Sequence, residues 1–269
     1  MDYAELVCRS NFSFLQAASH PEDLVARAHA LGYKALALTD EASVSGSVRA
    51  HLAGESLGIQ VIHGAQFVLT NGLRLVFLVR NRAGWAELCR LITLGRRRSD
   101  KGCYTLCPED FESNTMANCL ALWLPSPDQA EPSLHPEGRW IKAQFGDRSS
   151  LAYSLSLRAD DRAWQQQLIT LGALLRMPLV ATGDVLMHRR SQKSLADLLT
   201  AIRMGCSVAE CGKALTANAE RALQPRLRMA RRYPPEHLQA SLMLASQCHF
   251  SLSELRYEYP DEIVPSGLT

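Results

Sequence analysis

The sequence predicts an α/β fold in which short parallel strands alternate with helices, closed as a barrel or left as an open sheet. Three observations predict it. Lys34 to Leu38 is an apolar run of strand length ending in Thr39-Asp40-Glu41, and Ile59 to Ile62 is a second such run. Between them the polar cluster Ser43 to Ser47 opens a helix-length stretch, Val48 to Leu57, which Gly58 stops. Pro178 to Asp184 repeats that grammar, a short apolar strand closing on threonine and aspartate. Two strands separated by one helix's length form a βαβ unit, and parallel strands joined this way put their carboxyl ends on one rim. Asp40, Glu41, His63 and Gln66 lie at or just past two such ends, so any chemistry is expected there.

The remaining elements follow in order. Tyr3 to Cys8 reads as a strand with a polar turn after it. Ser19-His-Pro-Glu22 has the spacing of a capping box, opening a helix that carries Leu24, Val25, Ala28 and Leu31. Thr70-Asn71-Gly72 between two apolar runs predicts a hairpin. Trp85, Leu88, Cys89 and Ile92 share a helical face that ends in Arg96, Arg97 and Arg98. Residues 99 to 117 read as a loop holding a small hairpin and a helical turn from Pro108 to Phe111. Strands are expected at Cys119 to Leu124, Trp140 to Phe145 and Leu151 to Leu157, with the proline-rich stretch from Pro125 to Gly138 irregular. Trp164, Leu168, Leu171 and Leu175 then line a helix, as do Leu195, Leu198, Leu199 and Ile202. From Gly205 the alternation stops: residues 1–204 are expected to form the barrel, and 205–269 a helical extension that ends in an extended, proline-bounded tail.

At 269 residues, with 47% hydrophobic side chains, the chain can bury a sizeable core. No apolar run approaches the roughly 18 residues of a membrane span. The start, Met1-Asp-Tyr-Ala-Glu5, is acidic where a secretion signal would be basic, and a cytoplasmic location is expected. The eight cysteines include no Cys-x-x-Cys pair and are expected to be free thiols. A net charge of +2 gives no global basic field. Arg96, Arg97, Arg98 and Lys101 are local candidates for phosphate contact, as are Arg189, Arg190 and Lys193 and the group Arg226, Arg228, Arg231 and Arg232, although cations at a helix C-terminus are favoured in any case.

The ordered landmarks resemble the PHP (polymerase and histidinol phosphatase) domain of C-family DNA polymerases, and within it the error-prone, ImuC-type branch. Cys8-Arg-Ser-Asn-Phe-Ser-Phe-Leu15 is similar to the first motif of that family, Ala37-Leu-Thr-Asp-Glu41 to the second and Ile62-His-Gly-Ala-Gln66 to the third. Pro178 to Asp184 resembles its late strand. Ala18-Ser-His-Pro-Glu-Asp-Leu-Val25, Gly183-Asp-Val185 with Met187-His188, and Leu255-Arg-Tyr-Glu-Tyr-Pro260 carry the likeness to the error-prone branch. The resemblance implies a distorted, TIM-like β/α barrel whose active members hold up to three metals at the rim and hydrolyse phosphoesters with a metal-activated water.

Carried over residue by residue, the ligand pattern fails. Val7 and Arg9 stand at the first motif's His-x-His, Gln16 at a following aspartate, Glu41 at a histidine, Gln66 at a bridging glutamate and Leu186 at the last histidine. Only Asp184 keeps its ligand type. Valine and leucine offer no donor atom, and an arginine repels a divalent ion. The expectation is a degenerate site with no catalytic residue and no cofactor, in which Arg9 replaces the metal by pairing with Asp40, Glu41 and Asp184. Glu41, Asp184, His188, His63 and His20 are the residual metal candidates. The function implied is that of a structural domain of a polymerase acting in translesion synthesis and damage-induced mutagenesis. The alternative is an active metal-dependent phosphoesterase or 3′–5′ exonuclease that edits DNA. The polymerase body is expected after Thr269, bringing Mg2+, primer-template DNA, and an ImuB-type protein and sliding clamp as partners. No membrane partner is expected.

Overall fold

Seven strands form one sheet in sequence order, and all but one of them point the same way. The structure is a computed structural model and describes residues 2–127 and 131–255, with side chains left aside for 131–134. It begins with β1 (Ala4–Cys8), α1 (Pro21–Ala30), β2 (Ala35–Glu41), α2 (Ser47–Leu57) and β3 (Gln60–Val68). The hairpin then leads into β4 (Arg74–Val79), followed by α3 (Arg82–Arg97), the single turn α4 (Asp110–Ser113) and β5 (Cys119–Trp123). Next come α5 (Glu131–Phe145), β6 (Ser149–Tyr153), α6 (Asp161–Leu175), β7 (Leu179–Ala181) and α7 (Lys193–Met204). Two short helices, α8 (Arg226–Arg232) and α9 (Pro235–Ala245), complete the described chain.

Only β4 is antiparallel to both its neighbours. The Asn71-Gly72 turn reverses the chain there, with Gly72 at φ +86°, a conformation that a side chain resists. The sheet curls until its edges meet. Beyond β7 the chain bridges β1: the Arg9 amide donates to the Val185 carbonyl at 3.0 Å, and the Val185 amide to that of Val7 at 2.9 Å. Strand alternation then sorts the side chains into two layers. Leu36, Leu38, Ala65, Phe67, Leu75 and Phe77 point outward beneath the helices. Ala35, Ala37, Ile62, Val76, Leu78, Leu120 and Leu122 fill the interior. Each fully buried large side chain in these layers contributes about 1.5–3 kcal/mol. α9 closes the end of the curl away from the strands' carboxyl ends. The Ala4 amide donates to Ser241 Oγ at 3.3 Å, and Gln60 Nε2 to the Cys248 carbonyl at 2.7 Å.

Several sequence expectations need correction. Trp140 to Phe145 is not a strand but the end of α5, because Ile141 and Phe145, four residues apart, are the buried pair. That helix starts at Glu131 and contains Pro136, so most of the stretch read as irregular is helical; residues 128–130 lie outside the described residues. No strand forms within 99–117, and the helical turn there lies at α4. Ser19 does not cap α1. Its hydroxyl instead meets His188 Nδ1 and the His188 amide, both at 2.8 Å, stapling the first motif to the late one. α7 buries Ala196 and Ala201, leaving Leu195, Leu198 and Ile202 exposed. The expected extended tail from Tyr257 lies outside the described residues. All eight cysteines are free. No helix among the described residues is long and apolar enough to cross a membrane.

Candidate functional site

The rim at the strands' carboxyl ends is assembled by register. Glu41, the last residue of β2, pairs with Gln66 of β3, and both have the strand parity of the interior residues Ala37 and Ile62. Because β4 runs backwards, its first residue, Arg74, arrives at this same rim. The bridge between β1 and the segment after β7 adds Arg9 and Asp184. Left-handed backbone marks both rim acids: Ala42, next to Glu41, and Asp184 itself each have φ +43°. Non-glycine residues held there store strain that the surrounding contacts must offset.

Asp184 is the centre of the site. Arg74 donates to its Oδ2 at 3.1 Å, Arg221 NH2 lies 2.6 Å from the same oxygen, and Arg9 NH2 is 3.7 Å from Oδ1. Arg221 Nε also binds the Asp184 carbonyl, at 2.8 Å. Burial pushes this carboxyl upward, but Arg221, Arg74 and Arg9 together outweigh it and hold the group well below the usual carboxylate range. Arg9 is 7% exposed. It donates to Gln16 Oε1 at 2.8 Å and reaches Glu41 Oε2 at 3.5 Å. Glu41 Oε1 accepts from the Tyr104 hydroxyl at 2.9 Å, and Gln66 Oε1 from Arg74 at 3.3 Å. Arg9 thus pairs with two of the three carboxylates expected of it. It does not pair with Asp40, whose oxygens are taken by the Ser10 amide at 2.7 Å and by the Ser10 and Ser13 hydroxyls at 2.8 and 2.7 Å. Burial raises the Asp40 carboxyl to about 6 against those bonds.

The remaining metal candidates are dispersed. His63 belongs to the outward strand parity. Its ring lies 5.8 Å from those of Trp85 and Phe250 and 6.2 Å from that of His51, and burial lowers it to about 4. His188 is held by Ser19, and His20 Nδ1 by the Asn11 amide at 3.0 Å. Val7 is buried in the apolar interior, and Leu186 packs with Ala17, Met187, Ala196 and Ala222. Among the described residues no group of three or more His, Cys, Asp or Glu side chains could hold a metal. The side chains present do not fit a metal cluster: Asp184 is enclosed by three guanidinium groups, and Val7 and Leu186 offer only hydrocarbon. The basic cluster is partly engaged within the fold. Arg96 lies over the Tyr104 ring at 5.5 Å and donates to the Gly102 carbonyl at 3.1 Å and the Cys103 carbonyl at 3.2 Å. Arg98 donates to both oxygens of Asp110 at 2.9 Å. Arg97 and Lys101 are exposed.

Four buried or rim charges escaped the sequence reading: Arg74, Arg221, Glu5 and Glu220. Arg74 had a signal, since the hairpin before it reverses the strand. Arg221 had none. Glu5, 1% exposed, accepts from the Gly183 amide at 2.8 Å, the Tyr3 hydroxyl at 2.9 Å and the Val7 amide at 3.0 Å, locking β1 to the segment after β7. Glu220, 3% exposed, is paired with Arg232 at 2.6 Å, Arg190 at 2.9 Å and Arg228 at 3.6 Å.

Comparison with known proteins agrees with this architecture. Residues 5–122 match the PHP domain family. Over the whole chain the sequence is 49% identical to an error-prone DNA polymerase from Dechloromonas aromatica, and 49% identical to another from Alkalilimnicola ehrlichii. The chain spans only about a quarter, 26%, of each of those proteins. A solved structure from Bifidobacterium adolescentis, given the provisional description of a metal-dependent phosphoesterase, shares the fold with a TM-score of 0.50. It is 12% identical, and the match covers 67% of this chain and 86% of that one. The chain therefore carries a PHP domain and is, along its whole length, a relative of about a quarter of an error-prone DNA polymerase.

Proposed function

We propose that this chain is the PHP-domain portion of an error-prone DNA polymerase acting in translesion synthesis and DNA-damage-induced mutagenesis, and that the domain serves as a scaffold and not as a phosphoesterase. Kinship along the whole chain supports the first half. The scaffold reading is carried by one observation, Asp184 enclosed by Arg9, Arg74 and Arg221. Two like unit charges 4 Å apart repel by about 4 kcal/mol at an effective dielectric of about 20, and a divalent ion at this rim would face that term several times over. The guanidinium groups already neutralise the carboxylates that a metal would otherwise bind. In this setting, catalytic Mg2+ and the primer-template belong to the rest of the polymerase in the cytoplasm, with an ImuB-type protein and a sliding clamp as partners.

Elemental analysis and a nuclease assay test the scaffold reading. The purified chain should hold well under one transition metal ion and should leave a 3′ single-stranded end intact in added Mn2+ or Zn2+. Degradation that disappears in Asp184→Asn would overturn it.

A further inference from the structure

Two of the eight cysteines face each other just beyond α7. The sulfurs of Cys206 and Cys211 lie 3.5 Å apart, and both thiols are free. The loop between them holds that distance. α7 ends at Gly205, whose left-handed φ of +67° turns the chain, and the Cys206 amide donates back to the Ala201 carbonyl at 3.2 Å. Ser207 then opens a helical turn over Val208–Glu210: its amide and its hydroxyl both donate to Glu210 Oε2, at 2.9 and 2.7 Å. That turn returns Cys211 to Cys206. The Cys211 thiol donates to the Ser207 carbonyl at 3.3 Å, which leaves the Cys206 thiol as the donor between the two sulfurs.

Cys206 is half-buried, whereas Cys211 is buried. Desolvation, the adjoining Cys206 sulfur and the carboxylates of Asp197 and Glu210 push the Cys211 thiol up. Such a thiol is a poor first nucleophile, which assigns the first oxidation step to the more accessible Cys206. The position of the pair gives it a structural consequence. α7 buries only Ala196 and Ala201, and residues 212–219 are exposed or half-buried. Yet this stretch leads directly into Glu220 and into Arg221, which reaches Asp184. A segment with so little burial opens at a low free-energy cost, so a covalent tie there changes its order more than a tie in the core does.

We propose that Cys206 and Cys211 form a reversible redox site, at which a hydroperoxide joins the two sulfurs in a disulfide and fastens the end of α7 to the segment leading to Arg221. To reach the bonding distance of about 2.0 Å the sulfurs approach by roughly 1.5 Å, within the reach of rotation about χ1. The Cys206 sulfur attacks the peroxide first: an S–O bond forms, the O–O bond breaks, and the alcohol or water leaves with the thiol proton. The Cys211 sulfur then attacks the Cys206 sulfur. An S–S bond forms as the S–O bond breaks, and the departing hydroxide takes the Cys211 proton and leaves as water. The two thiols lose two electrons and the hydroperoxide gains them. Exchange with a small thiol returns the pair to the reduced state.

The test uses the full chain and hydrogen peroxide. Trypsin releases residues 204–213 as one peptide, which carries both cysteines and no other. After oxidation and then alkylation this peptide should run about 2 Da light and unalkylated, and dithiothreitol should restore both thiols. Cys211→Ser should halt the sequence at a Cys206 sulfenic acid that dimedone traps, while Cys206→Ser should leave Cys211 open to alkylation. In a glutathione buffer the folded chain should favour the disulfide over the urea-unfolded chain by roughly 10–40-fold, the upper figure being the loop-closure value for six residues. By linkage, the disulfide should also raise the urea midpoint. Hydrogen exchange over residues 206–221 should slow in the oxidised chain. A peptide that keeps both thiols while the exposed Cys103 is oxidised would overturn the proposal. So would a pair joined no more readily in the folded chain than in urea, or exchange that is the same in both redox states.

Discussion

Replacing Asp184 by asparagine keeps the shape of the rim and removes its central negative charge. In the wild type that charge is shared by three arginines whose side chains are 9%, 25% and 24% exposed, and the carboxylate itself is 8% exposed. Breaking a fully buried pair costs about 3–5 kcal/mol, mostly because the partner charge is stranded. Arg74 and Arg221 keep some access to water, which moves the expected loss to about 2–4 kcal/mol. For a domain of this size each kcal/mol lowers the melting temperature by about 2–4 °C, so Asp184→Asn should melt roughly 4–16 °C below wild type at neutral pH. The pH dependence supplies a second check. A carboxylate held below its ordinary range contributes stability that is complete above its unfolded value near 4 and is lost as the pH falls toward the folded value. The gap between wild type and Asp184→Asn, followed by calorimetry, should therefore narrow below about pH 4. EDTA should leave the wild-type melt unchanged. A variant as stable as wild type at pH 7, or a wild-type melt that EDTA lowers to that of the variant, would refute the reasoning.

Two further outcomes follow from the same contacts. Arg9→Ala strands Glu41 but leaves Asp184 with two arginines, so a loss of about 2 kcal/mol is expected in urea denaturation; a midpoint equal to wild type would show that these longer ion pairs contribute nothing. His63, buried and lowered to about 4, binds its proton first in the unfolded state, so its contribution is complete above about pH 6.5 and is lost as the pH falls toward 4. That amounts to about 3 kcal/mol. Asp40, raised to about 6, acts in the opposite sense, its contribution being lost as the pH rises from about 4 to 6. His63→Phe isolates the histidine: its stability should fall less than that of wild type between pH 6.5 and 4.5, and parallel profiles would show that His63 does not titrate there.

The legibility of this chain in its sequence follows the range of the forces involved. Local signals worked: the apolar runs of β2 and β3, the Asn71-Gly72 reversal and the stop at Gly58, whose φ is +68°. Trp140 to Phe145 misled because Ile141, Ala143 and Phe145 alternate with Lys142 and Gln144 as in a strand, and only packing reveals that Ile141 and Phe145 share one helical face. At the rim, Arg9 and Asp184 were readable because each lies within a motif. Arg221 was not, because nothing near it in sequence announces that the segment folds back onto Asp184. His63 could have been set aside by counting: it is three residues from Gln66, hence on the opposite face of the strand.

The reversed strand has a further consequence for how such a domain can change over time. Arg74 is delivered to the rim by the hairpin and Arg221 by a segment more than a hundred residues away, so the two are independent occupants of one spot. Placing a histidine at Val7 or Leu186 would add a ligand beside cations that still repel a metal. Removing one arginine first would strand a carboxylate before any metal could compensate. Each single step toward a metal-binding rim is thus unfavourable alone. The arginines work as a ratchet, and a metal-binding rim would require several substitutions to arrive together.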